Sequence, residues 1–327
     1  MADKDNVTNM VSKIMEKKHG SSYYQGKAPN LDRVYSGIVG LDKIMGGGLP
    51  CGRSIEIFSD ASGGKTTTAA HISKEFLKKG YDVVYNDLER TIDDTRLKTL
   101  GVEGDNFHYN RPSSGSEAIQ VLLDTVNAGA KLVIMDSVPF LGTDAFYEAE
   151  PGQQVMAPQA TFLSRNQHLI VGALEFNNAI CLFINQTRNK IGSYGNPVDS
   201  SGGQALKFMC SIRIRLNRAG MLNDGSGYLV KYKTEKNKTG PEKVSTIAEL
   251  HYETGIDPFS SMRETLIEDG LVYNKGAHFY FKEELANEFS LSTDKLAHGK
   301  SNASKFFQEN PEIYSNLYER ILSIEEN

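Results

Sequence analysis

A lysine and a threonine directly behind two glycines are the residues best placed to do chemistry. The segment Ser59-Asp60-Ala61-Ser62-Gly63-Gly64-Lys65-Thr66-Thr67 follows a β-rich run, Ser54–Phe58, and opens a helical pattern from Lys65 to Lys78. In such a strand–loop–helix unit, successive backbone N–H groups and the helix N-terminus cradle phosphate oxygens. Lys65 would then reach the β/γ-phosphates and the Thr66 hydroxyl would hold Mg²⁺. The spacing follows G-x-x-x-x-G-K-[ST], except that Ser59 stands where the first glycine is expected. Glycine eases the turn out of the strand, so a serine there predicts strain or an altered loop. Leu132-Val133-Ile134-Met135-Asp136 places a carboxylate at the end of an apolar strand. There it would hold a magnesium-bound water, or simply cap the turn that follows. Glu89, in Asp87-Leu88-Glu89 after the strand Val83–Tyr85, would face the same sheet edge. It reads either as the base that deprotonates an attacking water or as a solvated loop acid. Together these residues predict a magnesium-dependent nucleoside triphosphatase.

The elements that must position them alternate. After Ser54–Phe58 and Val83–Tyr85 come a helix over Glu117–Ala128, the strand Leu132–Met135, a helix over Ser164–Phe176 and the strand Ala179–Ile184. Strands separated by helices of this length imply a mostly parallel sheet covered on both faces. Ser211–Leu216 and Gly227–Lys233 alternate apolar and polar residues, as antiparallel strands do. Ahead of this core, Val7, Met10, Val11, Ile14 and Met15 form one apolar stripe on a helix over Asn6–Lys18, followed by a linker. The stripe must dock either on its own core or on another copy. Beyond Pro258 short helices (Met262–Glu268, Ala303–Glu309, Pro311–Ser323) surround a hairpin near His278–Lys282. The expected division is 1–33, 34–257 and 258–327, the last a small α+β domain.

Composition narrows the class without naming an activity. The 327 residues carry 36 Lys+Arg against 41 Asp+Glu, a net charge of −5, so nucleic-acid binding would need locally clustered cations. No apolar run reaches the roughly 20 residues that span a bilayer, which predicts no membrane partner. Cys51, Cys181 and Cys210 lie far apart, which suits a reducing, cytoplasmic setting, and no Cys/His spacing reads as a zinc site.

Three further stretches carry a resemblance. They are Ser36-Gly37-Ile38-Val39-Gly40-Leu41-Asp42 with Gly46–Arg53; Leu182-Phe183-Ile184-Asn185-Gln186-Thr187-Arg188 running on through Gly202-Gly203-Gln204-Ala205-Leu206-Lys207-Phe208; and Gly299–Ala303 with Glu309–Glu312. With the phosphate loop, they resemble the bacterial RecA recombinase family over nearly the whole chain. The C-terminal stretch favours the bacterial or bacteriophage branch, of which this chain looks like a divergent member.

The resemblance implies an α/β fold: a RecA-like P-loop ATPase core with an N-terminal helix and a small C-terminal domain. It implies ATP-dependent homologous pairing and strand exchange on helical filaments, with single- and double-stranded DNA as partners and ATP and Mg²⁺ as cofactors. Ser62, Gly63, Gly64, Lys65, Thr66 and Thr67 would hold the phosphates, Thr66 and Asp136 the metal, and Asp93, Arg96 and Tyr252 the adenine. Glu89 would be the base and Gln186 the sensor of the γ-phosphate, while Lys236 and Lys238 would reach a neighbour's nucleotide. DNA would meet Met156 in a first loop (148–159), then Arg188, Lys190, Ile191, Gly192, Tyr194, Gly202 and Gly203 in and after a second. Arg96 replaces a tyrosine of the family, and Thr161, His168 and Asn217 replace arginines. A RecA-fold regulatory switch or motor is the rival reading, and a DNA-coating filament without hydrolysis is a third.

Overall fold

The structure, a computed structural model, describes residues 2–20, 30–142, 158–189, 198–291 and 294–323. Two compact units are present, Met1–Asp32 and Arg33–Asn327. The first carries the helix Ala2–His19, longer at its start than the apolar stripe predicts. Val7, Met10, Val11 and Ile14 on this helix are exposed.

The second unit is built on one large sheet. A two-stranded pair, β1 (Arg33–Val34) with β2 (Leu49–Pro50), precedes it. Its central strands are β3 (Arg53–Ser59), β4 (Val83–Asp87), β5 (Phe107–Asn110), β6 (Leu132–Asp136) and β7 (Ile180–Asn189), with the short β8 (Val198–Ser200) paired to the end of β7. Beyond β3 lie β9 (Ile212–Met221), β10 (Gly227–Asn237), β11 (Ser245–His251) and β12 (Gly255–Asp257). The order across the sheet is β12-β11-β10-β9-β3-β7-β6-β4-β5. From β9 to β5 every pairing is parallel, and from β9 to β12 every pairing is antiparallel. This is the expected α/β core.

Alternation along the buried strands divides the interior in two, because successive side chains leave opposite faces. Leu132 and Ile134 join Ile55, Ile57, Leu182 and Ile184 beneath the helix Lys65–Lys78, whose Ala69, Ala70, Ile72 and Phe76 are buried there. Val133 and Met135 join Cys181 and Phe183 beneath the helices Gly115–Asn127 and Pro158–Phe176. All three cysteines are buried.

The boundary expected at 257/258 falls on a helix cap. The Asp257 carboxylate accepts the Phe259 N–H at 3.0 Å, so the helix runs Pro258–Glu268 and starts four residues before its apolar periodicity. Proline at the first helical position fits, since its missing N–H would be unpaired there anyway. The hairpin lies earlier than expected: β13 (Val272–Lys275) pairs with β14 (His278–Phe281), and β15 (Lys295–His298) adds a third strand. These elements close over Met262, Leu266, Phe279, Phe281, Phe307, Leu317 and Ile321. Tyr318 donates to the buried Asp42 carboxylate, which also accepts the Ser36 N–H, so the last helix is fastened to the start of the core.

Candidate nucleotide site

The phosphate loop leaves β3 at Ser59 and ends in the helix Lys65–Lys78, whose N-cap is Gly64 at φ 91°. Ser59 itself sits at the strand end and is absent from the positions with positive φ; within the loop these are Ser62 at 57° and Gly64. The strain expected of a serine at position 59 is therefore not in its backbone. Its hydroxyl instead donates to the Asp60 carbonyl at 2.7 Å and accepts from the Lys65 ammonium at 3.0 Å. Lys65 donates further to the carbonyls of Ser59 at 3.3 Å and Asp60 at 3.0 Å. Burial lowers the Lys65 ammonium below the ordinary lysine range, while Asp136, Glu89 and Asp60 pull it back up.

A β-carbon on Gly63 would stand 2.2 Å from Ser59 Oγ and 2.7 Å from Ser59 Cβ. Gly63→Ala is therefore expected to weaken nucleotide binding about tenfold or more, since forcing atoms into a packed site costs about 1–3 kcal/mol. Both colliding atoms belong to Ser59, so Ser59→Gly should restore much of the loss. Nucleotide titration of the two single variants and the double variant measures this coupling, and purely additive effects would refute the steric account.

On the metal side, Thr66 Oγ1 lies 3.3 Å from Asp136 Oδ2, which also accepts the Tyr85 hydroxyl at 2.6 Å. Burial pushes the Asp136 carboxyl up to about 6, and Glu89 and Asp87 push the same way against the Tyr85 and Thr66 hydrogen bonds. A desolvated carboxylate beside a hydroxyl, both hard oxygen donors, fits a magnesium ion. The backbone turn at Gly63 and Gly64, with no side-chain cap on the helix behind it, fits phosphate oxygens.

Glu89 accepts the Ser137 hydroxyl at 2.9 Å. Its loop is shaped by Asp87, which the sequence reading left without a role. Asp87 Oδ1 accepts the Arg90 N–H at 2.7 Å, and Oδ2 accepts the Ile92 N–H at 3.2 Å and the Tyr109 hydroxyl at 2.5 Å. The backbone N–H of Leu88 donates to the Asp136 carbonyl at 2.6 Å, tying the Glu89 loop to the end of β6.

The adenine side differs in detail from expectation. A cavity of about 230 Å³ is lined by Ser62, Gly63, Gly64, Lys65, Thr66 and Thr67, and is walled by Arg96, Arg218, Tyr228, Leu250 and Tyr252. Arg96 and Tyr252 thus border the loop. The Arg96 guanidinium donates to the carbonyls of Tyr252 at 2.8 Å and Glu253 at 3.2 Å, which fastens the two adenine candidates together. Asp93 caps the helix Asp94–Thr99 by accepting the Arg96 N–H at 2.8 Å, and it does not line the cavity.

Arg218 and Tyr228 also line this cavity, although residue order does not point to them. Arg218 lies 4.2 Å over the Tyr228 ring, and both donate to the Ser62 carbonyl, at 2.9 and 3.2 Å. A planar peptide with its carbonyl held this way turns the Gly63 N–H to the opposite side. No local signal ties β9 and β10 to the loop; only the adjacency of β9 to β3 does.

Gln186 is in parallel register with Ser59, and the Thr187 hydroxyl bonds the Asp60 carboxylate. Beside Gln186, Asn185 Nδ2 bridges Glu56 Oε1 at 2.7 Å and the Ser201 carbonyl at 2.8 Å. Arg213 completes the net by pairing with Glu56 and reaching Ser200 Oγ at 2.9 Å. Gly202, at φ 87°, caps the helix Gly203–Met209 and is packed by Val138, Leu163 and Leu206, while a β-carbon on Gly203 would meet Ala160 at 2.8 Å. Arg188 pairs with Asp199 through the backbone at the end of β7. Met156, Lys190, Ile191, Gly192 and Tyr194 lie outside the described residues.

Lys236 and Lys238 lie away from this loop. Lys236 donates to the carbonyls of Lys207 at 2.5 Å and Cys210 at 2.6 Å. Lys238 lines a separate cavity of about 440 Å³ with Arg53, Gln167, His168 and the exposed Phe208.

Residues 7–257 match the RecA N-terminal domain family. The chain is 33% identical to Protein RecA of Rickettsia canadensis over 331 residues, covering 98% of this chain and 93% of the relative. It is 33% identical to Protein RecA of Ruminococcus albus over 301 residues (90% and 73%) and 34% identical to that of Rubrobacter xylanophilus over 298 residues (88% and 84%). A phosphate loop after β3, an acid ending β6 and a glutamine on β7 in register with Ser59 thus occur in a chain whose relatives along most of its length carry one name: it belongs to the RecA family of recombinases.

Proposed function

We propose that this chain hydrolyses ATP while assembled as a helical filament on single-stranded DNA, and that it pairs that strand with a homologous duplex and exchanges strands. The observation that carries the reading is the continuity between two sites. Gln186, in register with the phosphate loop, is followed within four residues by the segment expected to meet DNA, and Asn185 hydrogen-bonds the chain where that segment returns at Ser201. A change at the nucleotide thus has a short covalent and hydrogen-bonded route to the DNA segment.

In this reading the Lys65 ammonium leaves its carbonyl partners for the β/γ-phosphates. Glu89, oriented by Ser137, takes a proton from the attacking water. Thr66 and Asp136 would hold a magnesium ion, whose positive charge would offset the charge that develops on the phosphate. The Gln186 amide hydrogen-bonds the γ-phosphate and changes partners once it is gone. Lys236 and Lys238 act on the nucleotide of the adjacent subunit, which makes turnover depend on assembly. Arg188 and Lys190 contact DNA phosphates, Met156, Ile191 and Tyr194 contact bases, and Gly192, Gly202 and Gly203 let the backbone approach the strand. The N-terminal helix packs its exposed stripe on the next copy in an open, head-to-tail array. Among the described residues no helix is long and apolar enough to cross a membrane.

The test is ATP turnover against added single-stranded DNA. Stimulation by DNA is expected, and Glu89→Gln should reduce the stimulated rate about 10²–10⁴-fold while leaving ATP binding in place. Turnover indifferent to DNA would favour the switch or motor instead. DNA binding without turnover would leave a coating filament.

A further inference from the structure

Glu249 and His251 are two residues apart on β11 and so share a face of the sheet. Asp257 on β12 is the cross-strand partner of Glu249. One potential ligand atom from each of the three lies within 4.8 Å of the other two. None of them belongs to the phosphate loop or to the magnesium pair.

The hydrogen bonds around His251 decide what it presents to the others. The Ser226 hydroxyl donates to Asp224 Oδ1 at 2.7 Å, and its oxygen lies 3.1 Å from His251 Nδ1. With its only proton spent on Asp224, that oxygen accepts, so the Nδ1 of His251 carries the hydrogen. In a neutral ring Nε2 then presents a lone pair, and it faces Glu249 Oε2 at 3.5 Å. A lone pair against a carboxylate is repulsive unless a positive centre, a second proton or a metal ion, joins them. The Glu249–His251 spacing of 3.5 Å suits a metal, whose bonds of ~2.1 Å at tetrahedral angles put neighbouring ligand atoms about 3.4 Å apart, and Asp257 lies within 4.8 Å of both. The Asp224–Ser226–His251 chain is also the kind of outer support that fixes the tautomer of a metal-ligating imidazole. Against the cation stands Arg263, 2.7 Å from Glu249 Oε1; its charge is shared with Glu264 at 2.9 Å, and it engages the other oxygen of Glu249.

We propose that Glu249, His251 and Asp257 form a binding site for a divalent transition cation of the zinc class, with one nitrogen and two carboxylate ligands and a fourth position open to water. Magnesium is disfavoured there because it prefers oxygen-only octahedra and keeps its waters. The ion would clamp β11 to β12 across the turn that carries Tyr252, and so stiffen one wall of the nucleotide cavity. Paired Cys and His spacings in the sequence do not mark such a site, since its ligands are one histidine and two acids that strand pairing brings together.

Calorimetric titration of the full chain with zinc chloride in excess Mg²⁺ tests this. One zinc per chain is expected. His251→Ala should weaken binding at least tenfold, and Asp257→Asn, which keeps an oxygen to cap the helix, should do the same. Ser226→Ala should weaken it about tenfold by freeing the imidazole. Zinc should also raise the thermal midpoint of the parent chain and leave that of Asp257→Asn unchanged. No uptake by the parent chain, or an affinity in His251→Ala and Asp257→Asn equal to that of the parent, overturns the site.

Discussion

Replacing Lys65 by alanine should lower DNA-stimulated ATP turnover about 10²–10³-fold, the usual loss when a charge-stabilising donor is removed from a transition state. Geometry sets this magnitude. The ammonium bonds to oxygens of its own loop, those of Ser59 and Asp60, and sits among the carboxylates Asp60, Glu89 and Asp136. A phosphate entering the loop therefore meets a cation already desolvated and aimed, with three acids close by that would repel it once the lysine is gone. Lys65→Ala should thus raise KM for ATP as well as lower kcat, whereas Glu89→Gln should act mainly on kcat. Steady-state kinetics of both variants at saturating single-stranded DNA separate the two roles. A Lys65→Ala enzyme within a few fold of the parent would remove Lys65 from the mechanism.

Much of this site could be read from residue order, because a parallel sheet places its functional groups at strand ends. Lys65, Thr66, Glu89, Asp136 and Gln186 each sit just beyond an apolar run, and β3, β4, β6 and β7 bring those ends to one edge. What could not be read depends on contacts between distant segments. Arg218 and Tyr228 reach Ser62 only because β9 lies next to β3. Asp87 has no role that residue order suggests, yet its carboxylate accepts from three backbone N–H groups and a tyrosine hydroxyl, and so shapes the loop that carries Glu89. Short elements were lost for a different reason. The helices Val39–Met45 and Asp94–Thr99 and the strand Phe107–Asn110 are each under two helical turns or five residues long. Periodicity has too few repeats there to rise above chance.

The largest effect on stability should come from a residue with no part in the chemistry. Arg263 is fully buried on the helix Pro258–Glu268, yet it is charged. Its guanidinium joins three elements: Glu249 on β11 at 2.7 Å, Glu264 on its own helix at 2.9 Å, and the Lys300 carbonyl and Ser304 hydroxyl of the helix Lys300–Glu309 at 3.1 and 2.9 Å. Burial pushes the Glu264 carboxyl up, but Arg263 and Lys300 outweigh it and hold the group below its ordinary range. Arg263→Met keeps much of the volume but takes the guanidinium from both Glu249 and Glu264, leaving Glu264 only Lys300. Breaking a buried pair in this way costs about 3–5 kcal/mol. The cost should depend on pH. A carboxyl held low in the folded state stabilises above its unfolded pKa and loses that contribution as pH falls. Protonated carboxyls also have less need of the arginine, so the deficit of Arg263→Met should be largest near neutrality and should narrow below about 4.5. Urea unfolding of the parent chain and the variant across that range measures it. A deficit under about 1 kcal/mol, or one that does not change with pH, would mean that Arg263 fills space and that its ion pairs contribute little.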